Sequence, residues 1–257
     1  MEAAMAVSGL WGLFIVTHIG LATSRIRGAL VNRFGERGFL LFYSLISSVV
    51  FAVLVAVYAA VREDGPAGLA LGADPILRGL LTVAIVCGIM LMTASFAPQG
   101  YWGTPIALLS EGVRAPIGLE RITRHPFFSG VVLAMGSHAL LAKNLTGAVF
   151  CAGFVVLAVV GPLHQAAKLR VRHGQAYDRY LAQTSAIPFV AIAMGRQRFV
   201  PREVPWVWLA LGLVVAGAIR SVHAHLFDAY GAPFTLAIVA GSALIGVIAV
   251  KSTEVAK

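Results

Sequence analysis

The chain has 257 residues, of which 59% are hydrophobic and only 12% charged, with a mean hydropathy of +0.85. That balance excludes a soluble globular domain, because several stretches run uncharged for roughly the 20 residues that a membrane-crossing helix needs. A net charge of +9 and a pI near 10.2 raise nucleic-acid binding, but the basic residues are dispersed in short loops beside apolar helices, so no nucleic-acid partner is expected.

The first apolar run, Val7 to Ala22, follows MEAAMA, which has no Lys or Arg, so it reads as a retained helix rather than a signal peptide. Further spans are expected at Phe39 to Val61, Leu77 to Phe96, Phe127 to Leu141, Leu145 to Leu163, Pro205 to Ile219 and Phe234 to Val250. These make an all-α integral membrane protein of about seven helices. Alternating the loops puts 16 of the 20 basic residues on one side, leaving Arg62, Arg78, Lys143 and Arg220 opposite. Cationic loops collect in the cytoplasm, which predicts the amino terminus outside and the carboxyl terminus inside. Residues 1–200 read as one helical membrane core and 201–257 as a carboxyl-terminal hairpin of the same domain. Cys87 and Cys151 fall mid-run among small hydrophobes and imply neither a disulfide nor a thiolate metal site.

His18 and His138 each lie inside an apolar run, where an ionisable side chain is expensive and marks a functional candidate. Two such histidines, with no acidic or cysteine ligand at their depth, suit axial coordination of a haem iron better than a zinc site, which takes three or four protein ligands. At about 1.5 Å per residue, His18 and His138 differ in expected depth by roughly 12 Å, to be absorbed by tilt or by the imidazole arms. Gly130, Ala134 and His138 share a helix face, leaving a shelf that either another helix or a flat cofactor would fill. Met135 offers a soft sulfur nearby.

The loop Ala97 to Arg124, rich in Gly and Pro, suggests a folded cover on the cytoplasmic face. It ends in RITRHP, Arg121 to Pro126, where Thr123 or a neighbour caps a helix that Pro126 starts. Arg121 and Arg124 beside the positive helix end would hold a carboxylate or phosphate, and His125 is the reserve iron ligand. From His164 to Thr184 the chain turns basic and amphipathic with a break at Gly174, and Ser185 to Met194 is too short to span, so it is placed at the interface or as a re-entrant piece. Asn144-Leu-Thr146 matches a glycosylation acceptor but lies too close to the membrane to serve.

Several segments together resemble the NnrU family: THIGLATSR from Thr17, RFGERG from Arg33, YSLIS from Tyr43, RITRHP from Arg121, SHALLAKN from Ser137, and TSAIPFVAIAMGRQR from Thr184. The resemblance implies an integral membrane protein binding haem b, with His18 and His138 as its iron ligands and Met135 where the carotenoid-isomerase branch has a cysteine. It further implies redox-gated cis-trans isomerisation of a hydrophobic polyene entering from the bilayer or, in bacterial relatives, a denitrification role beside a membrane reductase complex. A bacterial inner membrane is the expected location. RHP followed by GQAYDRY from Gly174 also resembles membrane methyltransferases of the isoprenylcysteine carboxyl type, which bind S-adenosylmethionine, although the acidic residues usual before that glycine are missing.

Overall fold

The computed structural model describes residues 1–98 and 112–226, and the described part is built from helices. They are α1 (Glu2–Gly20), α2 (Ser24–Val61), α3 (Pro75–Ala94), α4 (Leu119–Ile122), α5 (Pro126–Leu141), α6 (Leu145–His173), α7 (Gln175–Gln183), α8 (Val190–Ala193) and α9 (Trp206–Val222). Among the described residues, five helices are long and apolar enough to cross a membrane: α1, α2, α3, α6 and α9 with the turn that follows it. The expected fourth span, α5, has 16 residues and is apolar but short. The expected seventh, Phe234 to Val250, lies outside the described residues, as does much of the Ala97 to Arg124 loop.

The chain forms two compact units. One comprises Met1–Leu69, Lys143–Gly153 and, of the described residues, 222–226; the other comprises Ala70–Ala142 and Phe154–Ser221. In the first, Trp11 packs flat into the space that Gly153 leaves: a Cβ there would come within 2.1 Å of the indole. The same indole donates to the Phe150 carbonyl at 3.1 Å, and Phe14, Phe51, Phe150 and Tyr58 complete an aromatic cluster around it. The connections at one end of this unit are knitted together. Asn144 Nδ2 donates to the Arg62 carbonyl at 2.7 Å, Thr146 Oγ1 to Asp64 at 2.6 Å, and the Gly68 N–H to Lys143 at 2.9 Å. Asn144 Oδ1 also accepts from the Gly147 N–H, closing the first turn of α6, so the glycosylation-like asparagine is a helix cap.

In the second unit, Asp74 caps α3 by accepting from the Ile76 and Leu77 N–H groups, with Pro75 at the first helical position. α3 crosses α5 at backbone contact. A Cβ on Gly88 would meet the Gly130 carbonyl at 2.6 Å, and one on Gly130 would meet Gly88 and Met92. Gly212 brings α9 equally close to Met90 on α3. Without a hydrophobic drive between helices in lipid, such glycine contacts are what lets backbones pack. The outward flanks stay apolar and uncovered: Leu80 is 62% and Val214 67% exposed. Exposed apolar side chains on long apolar helices are surfaces for lipid.

The basic segment expected from His164 is continuous with the fifth span, since α6 runs through Pro162 to His173 before Gly174, at φ 51, turns the chain into α7.

Candidate functional site

His18 sits near the end of α1 and faces polar partners from α2. Ser47 Oγ lies 3.1 Å from its Nδ1, and the Tyr43 hydroxyl lies 3.1 Å from Nδ1 and 3.2 Å from Nε2. Phe14, one turn back, stacks on the imidazole at 5.1 Å with the planes 19° apart. Tyr43 and Ser47 are four residues apart and so share one face of α2. That spacing, visible in YSLIS, is the signal that could have marked them as partners of His18.

His138, in the other unit, is fixed differently. Its Nδ1 lies 2.9 Å from the carbonyl of Ala134, one turn back on α5. A carbonyl only accepts, so Nδ1 is the nitrogen that carries a proton in this contact, the arrangement in which a neutral imidazole has its lone pair on Nε2. Metal-binding histidines are set in this way, the ring N–H that does not face the metal being tied to a carbonyl. The shelf formed by Gly130 and Ala134 is filled by α3 at Gly88, the ordinary one of the two expected occupants. Met135 is half-buried on the adjacent turn. Among the described residues no group of three or more His, Cys, Asp or Glu stands ready as a metal cage.

The RITRHP segment is the organising point of a polar plate in the second unit. Arg121 donates from Nε and NH2 to the two carboxylate oxygens of Glu203, at 2.7 and 2.9 Å, and from NH1 to Gln197 at 2.8 Å. Glu203 also accepts from the Gly118 N–H at 2.9 Å, and these partners, Arg121 first, hold its carboxyl below the usual range. Arg124 donates to Thr184 Oγ1 at 2.9 Å and to the carbonyls of Thr184 and Leu181. Burial lowers its pKa, although a guanidinium stays charged throughout the accessible range. The backbone joins in, because the Arg124 N–H donates to Ser185 and the Phe189 N–H to Ile122. Ser185 to Met194 is thus bonded along RITRHP, and only Val190–Ala193 of it is helical.

Thr123 does not cap α5. Its Oγ1 donates to the Ala186 carbonyl and pairs with Ser129, while the cap position belongs to His125, whose side chain makes no capping bond. His125 is buried with Nδ1 lacking a hydrogen-bond partner, and burial, then the Arg124 charge, push its pKa down to about 4. A neutral imidazole follows. Sequence reasoning also missed Glu120, wholly buried and held by Arg114 NH1 at 2.7 Å and by the Ile117 N–H. Nearby, Leu169, Tyr177 and Tyr180 form a small core, and burial raises the pKa of both phenols.

Comparison with known families gives a match to the family described as NnrU protein over residues 7–230. The chain belongs to the NnrU family. Two curated relatives of this NnrU chain are each named 15-cis-zeta-carotene isomerase, chloroplastic. The one from Arabidopsis thaliana is 27% identical over 188 residues, covering 72% of this chain and 49% of the relative; the one from Zea mays is 28% identical over 196 residues, covering 72% and 50%. The NnrU chain therefore spans about half the length of the curated relatives it matches. No solved structure matches it.

Proposed function

We propose that this NnrU protein is a haem b-binding membrane isomerase that interconverts cis and trans double bonds of a hydrophobic polyene. Family membership and the two isomerase relatives support the isomerase reading. The observation that carries the haem assignment is the Nδ1 bond of His138 to the Ala134 carbonyl, which gives that ring the tautomer an iron ligand needs. His18, in the other unit and with Ser47 and Tyr43 at its ring nitrogens, is a separate candidate for an iron ligand. When bound, haem b supplies a redox-switchable iron able to lend charge to a double bond.

The chain's own groups do the rest. Phe14 stacks on the His18 ring, and Tyr43 and Ser47 bond it, so its plane is fixed by α2. Arg121 and Arg124 are the cationic candidates for the propionates, in competition with Glu203 and Thr184, which already take them. The uncovered apolar flanks of the long helices leave a lipid-soluble substrate free to arrive through the bilayer. The seven-span topology, with the basic plate on the cytoplasmic side of a bacterial inner membrane, belongs to the same proposal.

The test is an isomerisation assay. Protein loaded with haem b and reduced with dithionite, mixed with a cis polyene, is expected to shift the isomer ratio on chromatography beyond haem alone. An unchanged ratio in protein shown to hold haem would refute the activity.

A further inference from the structure

The first third of α2 has no role in the proposed isomerisation. The whole helix is 38 residues long, about 57 Å at 1.5 Å per residue against a hydrocarbon core of about 30 Å, so a single span leaves a large part over. Gly35 divides it, at φ 72 and ψ 169, a conformation that glycine adopts without strain. Residues 36–61 then suffice for the crossing, and 24–34 form a separate helical segment.

That segment is two-sided. Ile26, Leu30, Phe34 and Val31 fall on one side of the helix, with Arg27 among them between Phe34 and Val31; Ser24, Arg25, Gly28 and Asn32 fall opposite, and Arg33 stands at the margin beside Ile26. Its apolar side is partly open, with Ile26 43% and Phe34 52% exposed and Leu30 and Val31 half-buried, and Arg25 and Arg33 are exposed. Arg27 pairs with Glu36 across the Gly35 break and lies over the Phe39 ring at 5.4 Å, which ties the segment to the spanning part. An apolar side with Arg33 at its margin and Arg25 on the opposite polar side, joined by a glycine break to a spanning helix, matches a helix lying in the interface, where anionic headgroups complement its charge.

We propose that residues 24–34 lie in the headgroup layer and that Arg25 and Arg33 hold the phosphates of anionic phospholipids. The assignment stands apart from the haem and isomerase readings. Wild-type protein in phosphatidylcholine nanodiscs, with and without about 30 mol % phosphatidylglycerol, is melted alongside Arg25→Gln/Arg33→Gln and a control, Arg179→Gln/Arg198→Gln. Phosphatidylglycerol is expected to raise the wild-type and control Tm, and to raise that of Arg25→Gln/Arg33→Gln by less than half as much, with Arg25→Lys/Arg33→Lys restoring the rise. Should the glutamine variant not fold in phosphatidylcholine, loss of the wild-type rise in about 0.5 M salt, together with the lysine variant, carries the test. A full rise in Arg25→Gln/Arg33→Gln, an equal loss in the control, or the same rise with inorganic phosphate in phosphatidylcholine discs would overturn it.

Discussion

Arg121 and Glu203, 82 residues apart in sequence, meet in a two-point pair with both carboxylate oxygens held at 2.7 and 2.9 Å. This contact ties the turn before α5 to the approach to α9, and Glu203 adds a bond to the Gly118 N–H. The planar fork is what makes two parallel bonds possible, so lysine is a poor substitute for Arg121.

Replacing Glu203 with Gln should therefore lower the unfolding free energy by about 1–3 kcal/mol, and Arg121→Lys by a comparable amount. In the double variant the two losses should not add. Thermal melts of all three proteins in one detergent check this.

The buried pair Glu120 and Arg114 should respond unequally. Glu120 is wholly buried whereas Arg114 is 34% exposed, so removing the cation strands a carboxylate that water cannot reach. Arg114→Met is expected to destabilise the protein more than Glu120→Gln, which leaves an arginine able to hydrate. Urea or thermal titration of the two variants against wild type gives the order directly.

How much of this was legible in the sequence depends on the range of the interaction. The apolar stretches of α1, α2, α3, α6 and α9 followed from run length and Pro126 starts α5 as expected, but α2 begins at Ser24 rather than at Phe39, because the basic residues before Phe39 read as a loop. The Gly35 break was not foreseen, because RFGERG carries no periodicity signal that separates a kink from a helix end. His18 and His138 stood out because titratable groups are rare among apolar residues, and the spacing of Tyr43 and Ser47 held the partners of His18 in plain view. Glu203 and Glu120 did not stand out. A lone acid in a loop looks solvated until the fold brings an arginine to it, and nothing local to Arg121 names Glu203.

The α3–α5 crossing gives a steric prediction. A methyl on Gly88 would stand 2.6 Å from the Gly130 carbonyl and 2.7 Å from the Ala134 nitrogen, backbone atoms that cannot swing away. Gly88→Ala should cost about 1–3 kcal/mol of stability. Gly79→Ala, on the same helix with nothing within 4 Å, should be neutral by the same melt.

His125 predicts a pH dependence. Its pKa is about 4 in the fold and about 6.5 in an unfolded chain, so on acidification the unfolded state takes up the proton first. The contribution of this group to stability is complete above pH 6.5 and is lost as the pH falls from there toward 4. Melting temperatures across that range should drop more steeply for wild type than for His125→Asn.

The proposal that this protein binds haem b through histidine is tested most directly by haem content. Protein expressed with haem supply and purified in detergent should show a Soret band and, by the pyridine haemochrome assay, one b-type haem per chain, with the band lost or sharply reduced in His18→Ala and in His138→Ala. Colourless wild-type protein, or variants that keep the full band, would contradict the assignment.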